Sequence, residues 1–147
     1  MHTPKSWLGG IMRKPTILCV DDEVNALTGR EYLLRQHGYE VLISTSGLES
    51  LDLLEALEVD AVILDYRMPE MMGDRVATLM KQLRPEVPIM MLSAQDCVPA
   101  SALRSADAFL SKSVPPDQFV EAVHDMVADG SPFFERWLHS WKRRLTA

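Results

Sequence analysis

Three aspartates follow two short apolar runs, and they are the residues of this chain best suited to chemistry. Residues 16–20 lead directly into Asp21 and Asp22, and residues 61–64 lead into Asp65. Short apolar runs with β-branched residues are typical of buried parallel strands. Ligands of an open α/β sheet bind beyond the carboxyl ends of its strands. Because clustered carboxylates repel one another, we expect a divalent cation such as Mg²⁺ to bind among them.

The elements that must position these aspartates alternate along the chain. Apolar runs bounded by Gly and Pro alternate with segments of helical periodicity, which predicts a parallel sheet with helices on both faces. In the second helix, for example, leucines recur at the spacing of one helix face, from Leu48 to Leu57. The predicted strands are 16–20, 40–44, 60–65, 88–92 and 107–111. The predicted helices are 24–37, 47–57, 73–83, a short one after Pro99, and about 115–129.

Two further strand ends carry polar residues, Ser93 and Lys112. If the order of the five strands is 2-1-3-4-5, these ends lie beside the aspartates at the switch point of the sheet. A carboxylate can attack phosphorus, a lysine can bind phosphate oxygens, and a hydroxyl can donate to them, so the set is suited to phosphoryl transfer. Taken singly, each residue has a simpler interpretation. Asp21 or Asp22 could cap the first helix, Asp65 could be a turn residue, Ser93 could be an ordinary loop residue, and Lys112 could be a solvated lysine.

The segment after the third strand, Asp65-Tyr66-Arg67-Met68-Pro69-Glu70-Met71-Met72-Gly73, resembles the phosphorylation motif of response regulator receiver domains. Asp21-Asp22, Ser93-Ala94 and Lys112 match the rest of that family's pattern, and the resemblance covers about residues 15–130. It implies a flavodoxin-like fold with the 2-1-3-4-5 strand order. It also implies Asp65 as phosphoacceptor, Mg²⁺ bound by Asp22, Asp65 and the backbone carbonyl of Arg67, and Asp21 acting mainly through water.

The same resemblance implies a switch. Ser93 would turn toward the phosphate, Lys112 would pair with it, and Phe109 would rotate inward, although Phe109 could equally be a plain core residue. Two features depart from the family's usual pattern. In the family, the lysine is usually followed by a proline, and the peptide bond between them is usually cis. Here Ser113 follows Lys112, so we expect this bond to be trans. The fourth helix is about one turn short, which predicts an unusual partner surface.

Composition and charge bound the remaining possibilities. The chain has 147 residues and a formal net charge of −6, which suits one domain that does not bind nucleic acid directly. We expect a basic N-terminal extension (1–14), a receiver domain (15–130) and an aromatic, basic helical tail (131–147). The tail could pack on the domain, form a homodimer, bind a partner or lie on a membrane. Cys19 in the first strand is predicted to be a small buried hydrophobic residue.

These observations favour a cytoplasmic phosphoacceptor in a two-component phosphorelay rather than an enzyme with a turnover reaction of its own. Its partners would be a histidine kinase or phosphotransfer protein, and a downstream protein that binds the face formed by the fourth helix, fifth strand and fifth helix. One alternative is a receiver-like interaction module that no longer switches. The other is a Mg²⁺-dependent phosphatase with an aspartate nucleophile, although the sequence after the first strand lacks the Asp-x-Asp pattern of such enzymes.

Overall fold

Five parallel strands form the central sheet of the protein, which is described here from a computed structural model. The structure describes residues 7–8, 11–94 and 98–129. The strands of the sheet are β3 (Thr16–Val20), β4 (Glu40–Ser44), β5 (Ala61–Asp65), β6 (Ile89–Ser93) and β7 (Ala108–Ser111). Their spatial order is β4-β3-β5-β6-β7, with all neighbouring pairs parallel. This is the predicted 2-1-3-4-5 order of a doubly wound, flavodoxin-like sheet, with β3 as the first of the five strands.

Five helices connect and cover these strands. They are α1 (Val24–Gln36), α2 (Gly47–Ala56), α3 (Gly73–Leu83), α4 (Ala100–Leu103) and α5 (Pro116–Asp129). Gly38 follows α1 with a positive φ of 90°, a conformation that glycine adopts without strain. Ser46 caps α2, because its hydroxyl accepts a hydrogen bond from the Glu49 backbone N–H. The predicted bounds are confirmed to within one or two residues.

The core has two parts, one on each face of the sheet. On one face, alternate strand residues such as Ile17 and Cys19 pack with α1 and α5. On the other face, Leu18 and Val20 pack with the residues of α2, α3 and α4. This alternation follows from the period of two residues along a strand. Cys19 is completely buried, and burial raises the pKa of its thiol to about 12, which confirms the prediction of a buried small hydrophobe.

The predicted apolar face of α2 was too wide. Leu54 is buried, but Leu48 is 55% exposed and Leu57 is 43% exposed. The buried side of α2 is marked by Gly47, Ser50 and Leu54, and Leu57 follows the last residue of the helix. Leucines three residues apart are rotated by about 60° around a helix, so a spacing of three alone did not show which of them face the sheet.

A short antiparallel hairpin precedes the sheet. Its strands β1 (Trp7–Leu8) and β2 (Ile11–Met12) pair in register within the segment that the sequence predicted only as a basic extension. The two residues between them, Gly9 and Gly10, lie outside the described residues. The predicted 131–147 tail and its homodimer role lie outside the described residues.

Two departures from the family pattern appear in the described part of the chain. Helix α4 spans only four residues, as the short predicted segment indicated. The described residues contain no cis peptide bond, so the bond between Lys112 and Ser113 is trans, as expected. Among the described helices, none is both long and apolar enough to cross a membrane.

Candidate functional site

The strand ends that carry the candidate site residues lie side by side. Asp65 is the last residue of β5 and stands opposite Leu92 of β6. The backbone N–H of Lys112, directly after β7, donates to the carbonyl of Ser93 at 2.9 Å. Asp21 follows β3, whose last residue is paired with Leu64, the neighbour of Asp65. The parallel register therefore places all four residues at the carboxyl edge of the sheet.

Three carboxylates form one acidic cluster at this edge. Ligand oxygens of Asp21, Asp22 and Asp65 all lie within 4.8 Å of one another. Asp21 is completely buried and Asp65 is 4% exposed, whereas Asp22 is exposed to solvent. Three oxygen donors of this kind fit a hard divalent cation, and the exposed Asp22 gives such a cation a route from solvent. The donor set therefore fits Mg²⁺.

Lys112 links two of these carboxylates. Its Nζ lies 3.1 Å from Oδ2 of Asp21 and 3.0 Å from Oδ1 of Asp65. The loop that follows it is fixed by Ser113, whose backbone N–H donates to the Ser111 hydroxyl at 3.2 Å. Serine in place of proline after Lys112 is therefore compatible with a lysine that points into the acidic cluster.

The two buried aspartates have opposite electrostatic environments. Burial alone would raise the pKa of Asp21, but hydrogen bonds from the Glu23 backbone N–H, Arg30 and Lys112 outweigh it and hold the pKa below its ordinary value. Burial raises the pKa of Asp65 from 3.8 to about 6, opposed by the hydrogen bond from Lys112 and reinforced by the charge of Asp21. Asp21 is therefore firmly ionised, whereas the negative charge of Asp65 is less well compensated than that of Asp21.

The loop after β5 holds Asp65 in place through a close backbone approach. Gly73 begins α3, and its N–H donates to the carbonyl of Tyr66 at 2.7 Å. A Cβ atom at Gly73 would lie 2.4 Å from the backbone oxygen of Asp65 and 2.8 Å from Cα of Tyr66. Because both obstacles are backbone atoms, only glycine fits there. Steric fit thus explains why the motif of residues 65–73 ends in glycine.

Arg30 belongs to the same site and was missed by the sequence analysis. Its guanidinium donates to Oδ2 of Asp21 at 2.8 Å, the same oxygen that Lys112 contacts. A signal was present, because Leu27, Arg30 and Leu34 follow one another at i, i+3 and i+7 on α1, and both leucines are buried. A cation on an apolar helix face requires a buried anionic partner.

The simpler interpretations of the aspartates receive no support from the first helix. Its N-cap residue is Glu23, and no side chain there accepts a capping hydrogen bond. Asp21 instead accepts from the Glu23 backbone N–H at 3.0 Å.

Ser93 and Phe109 are buried, with 2% and 1% of their surfaces exposed. Their roles in switching stay predictions.

Comparison with known proteins identifies the class to which this fold and site belong. The sequence profile of the response regulator receiver domain matches residues 17–124, which is most of the chain. The chain therefore belongs to the receiver domain family of two-component response regulators.

Several relatives illustrate the match. The transcriptional regulatory protein GlrR of Escherichia coli K12 is 33% identical over 125 residues, covering 82% of this chain and 28% of GlrR. The alkaline phosphatase synthesis regulatory protein PhoP of Bacillus subtilis is 36% identical over 80 residues, covering 54% of this chain and 33% of PhoP. This chain thus spans about a third or less of these two relatives.

Solved structures give the same fold. A CheY-like receiver domain protein from Methanospirillum hungatei has a TM-score of 0.73 at 24% identity, covering 89% of this chain and 98% of its own. The response regulator TrrA of Thermotoga maritima, solved in complex with Mg²⁺–BeF, has a TM-score of 0.69 at 29% identity. That match covers 76% of this chain and 98% of TrrA.

Proposed function

We propose that this receiver accepts a phosphoryl group on Asp65 in a Mg²⁺-dependent reaction and thereby regulates a partner protein. The observation that carries the proposal is the position of Asp65. It is a buried carboxylate at a strand end, 3.0 Å from Lys112 and within the acidic cluster. A site with an undercompensated carboxylate nucleophile and a lysine beside it is suited to phosphoryl transfer.

The proposed reaction is a displacement at phosphorus. A carboxylate oxygen of Asp65 forms the new bond to phosphorus, and the bond from phosphorus to the donor's histidine nitrogen or acyl oxygen breaks, its electron pair leaving with the donor. Lys112 then donates to the phosphoryl oxygens, since its ammonium has three donors and a flexible stem. Ser93 at the end of the neighbouring strand β6 is the proposed second donor to the phosphoryl group.

The proposed cation ligands are Asp22, Asp65 and the backbone carbonyl of Arg67. Mg²⁺ bound there would supply positive charge that offsets the repulsion between the carboxylates and an incoming phosphoryl group. Asp21 is already engaged by three donors, so its proposed contribution is mainly through water. Its carboxylate accepts from the Glu23 backbone, Arg30 and Lys112.

The proposed output surface is formed by α4, β7 and α5. Phe109 of β7 belongs to the same core cluster as Met91, Val98 and Ala102, so its ring already lies inside the domain. We therefore infer that a change at Ser93 reaches the surface through a change in the packing of Phe109 and of the short helix α4. The proposed partners are a histidine kinase or phosphotransfer protein and a downstream protein, in the cytoplasm, with the receiver serving as phosphoacceptor and not as a turnover enzyme.

The test is phosphorylation by a small acyl phosphate in the presence of Mg²⁺. Intact-mass analysis should show one added phosphoryl group that hydroxylamine or mild alkali releases, as expected of an acyl phosphate, and that does not form when Mg²⁺ is omitted. The Asp65→Asn variant should not be labelled. The Asp52→Asn variant is the matched control, because Asp52 is an exposed carboxylate on α2. An unlabelled wild type, or equal labelling of the Asp65 variant, would refute the proposal, and rapid release of phosphate from many esters would favour the phosphatase alternative.

A further inference from the structure

Arg30 is a cation that the site's expected chemistry does not use. It lies on the buried face of α1, and its side chain is only 16% exposed. Its partner Asp21 is completely buried. A buried carboxylate that loses its cation is left with an uncompensated charge, so this ion pair constrains the position of Asp21 strongly.

Asp21 and Asp65 share the second cation, Lys112. Oδ2 of Asp21 is contacted by both Arg30 and Lys112, whereas Oδ1 of Asp65 is contacted by Lys112. If Lys112 is to donate to a phosphoryl group on Asp65, it has to weaken its contact with Asp21. Without a second cation, the buried Asp21 would hold Lys112 back, because attraction between unit charges at about 3 Å is strong in a partly dry site.

We propose that Arg30 is a positioning residue that neutralises and holds Asp21, and so releases Lys112 to bind the phosphoryl group. This inference rests on the proposed function of Asp65. The charges of the described site support it. Arg30 and Lys112 both contact Asp21, and of these two cations it is Lys112 that also contacts Asp65.

The space beside the two cations suits this exchange. Arg30 and Lys112 both line a cavity of about 140 Å³ between α1 and α5, together with apolar residues such as Leu33 and Phe119. The cavity lets either long side chain change its rotamer without displacing the tightly packed core.

The first test compares Arg30→Met with Arg30→Lys. We expect R30M to be phosphorylated by a small acyl phosphate on the order of tenfold more slowly at saturating donor and Mg²⁺, because Lys112 stays with Asp21. R30K should recover most of the rate. Arg35→Met is the matched control on the same helix, because Arg35 is 48% exposed and its described acidic partners, Glu31 and Glu40, are 29% and 53% exposed.

A second measurement needs no phosphorylation. With one positive charge removed from the acidic cluster, R30M should bind Mg²⁺ several-fold more tightly by calorimetry, whereas R30K and R35M should bind it as the wild type does. Loss of the charge alone tightens Mg²⁺ binding, so this measurement shows that the metal site of R30M is intact when phosphorylation slows. An unchanged phosphorylation rate in R30M would overturn the inference, whatever its Mg²⁺ affinity.

A double variant covers the case in which R30M does not fold. Asp21→Asn/Arg30→Met buries neither charge, and it is compared with Asp21→Asn alone. If Arg30 acts through Asp21, adding R30M to D21N should leave the phosphorylation rate unchanged. A further tenfold loss of rate in the double variant would contradict the inference. Failure of the wild type to be labelled at all would instead refute the proposed function.

Discussion

Replacing Asp65 with asparagine should stabilise the metal-free protein at neutral pH. Asp65 is 4% exposed, and burial raises its pKa from 3.8 to about 6. A difference of about two pH units between the folded and unfolded pKa corresponds to about 3 kcal/mol, at roughly 1.4 kcal/mol per unit. Because Asp22 in the same cluster is exposed to solvent, we expect part of this penalty to be screened, so that Asp65→Asn raises the free energy of unfolding by about 2 kcal/mol at pH 7.5.

The pH dependence follows from the direction of the shift. Below pH 4, Asp65 is protonated in the folded and unfolded states, and its burial has no charge penalty. Between pH 4 and about 6 the unfolded state loses the proton first, so the wild type loses stability relative to the variant as the pH rises. Above about pH 6 the difference should be constant, since Asp65 is ionised in both states.

Urea denaturation in a metal chelator, at several values from pH 4 to pH 7.5, measures this difference. Asp52→Asn, which removes an exposed carboxylate from α2, should change the stability by less than about 0.5 kcal/mol at every pH. Added Mg²⁺ should stabilise the wild type more than Asp65→Asn, because it compensates the buried charge. A variant less stable than the wild type at pH 7.5, or a difference larger at pH 4 than at pH 7.5, would refute the reasoning.

Two further predictions concern the loop and the α5 surface. Gly73→Ala should lower the free energy of unfolding by about 2–4 kcal/mol in urea denaturation and abolish labelling of Asp65, because the new Cβ meets backbone atoms. Gly29→Ala, the control, should instead stabilise α1 by roughly 0.5–1 kcal/mol, because its Cβ meets no described atom within 4 Å. Burial and the neighbouring His37 lower the pKa of His124, so its stabilising contribution should be present above pH 6.5 and be lost as the pH falls below that value. Denaturation midpoints of the wild type should therefore decrease more between pH 7 and pH 5 than those of His124→Gln, and equal decreases would contradict this.

The strands could be predicted because their signal is local. Each central strand is a short apolar run that ends at a polar residue, and β5 and β6 are buried over their whole lengths, as uninterrupted apolar runs predict. The hairpin of β1 and β2 also had a local signal, the Gly9-Gly10 dipeptide, but its two-residue strands were too short for a periodicity to show.

The candidate site was predicted only in part, for a physical reason. The aspartates and Lys112 stand at strand ends, where topology alone brings them together. Arg30 reaches the site from the middle of a helix, and the length and rotamer of its side chain decide its partner. Glycine is needed at position 73 because the loop after β5 returns close to the backbone of Asp65. No pattern of residue types encodes how close this approach is.

The parts of the site differ in how firmly they are fixed, and this difference supports a switching role for Lys112. The backbone of Lys112 is tied to Ser93 and the loop after Asp65 is tied by Gly73, so neither strand end can move without breaking backbone contacts. The Lys112 ammonium, in contrast, is carried by a flexible side chain and contacts two carboxylates, those of Asp21 and Asp65. A phosphoryl group would add three acceptor oxygens and up to two negative charges to one of these partners. The least costly response of such a site is a movement of the lysine side chain, and the second cation on Asp21 lowers the cost of that movement.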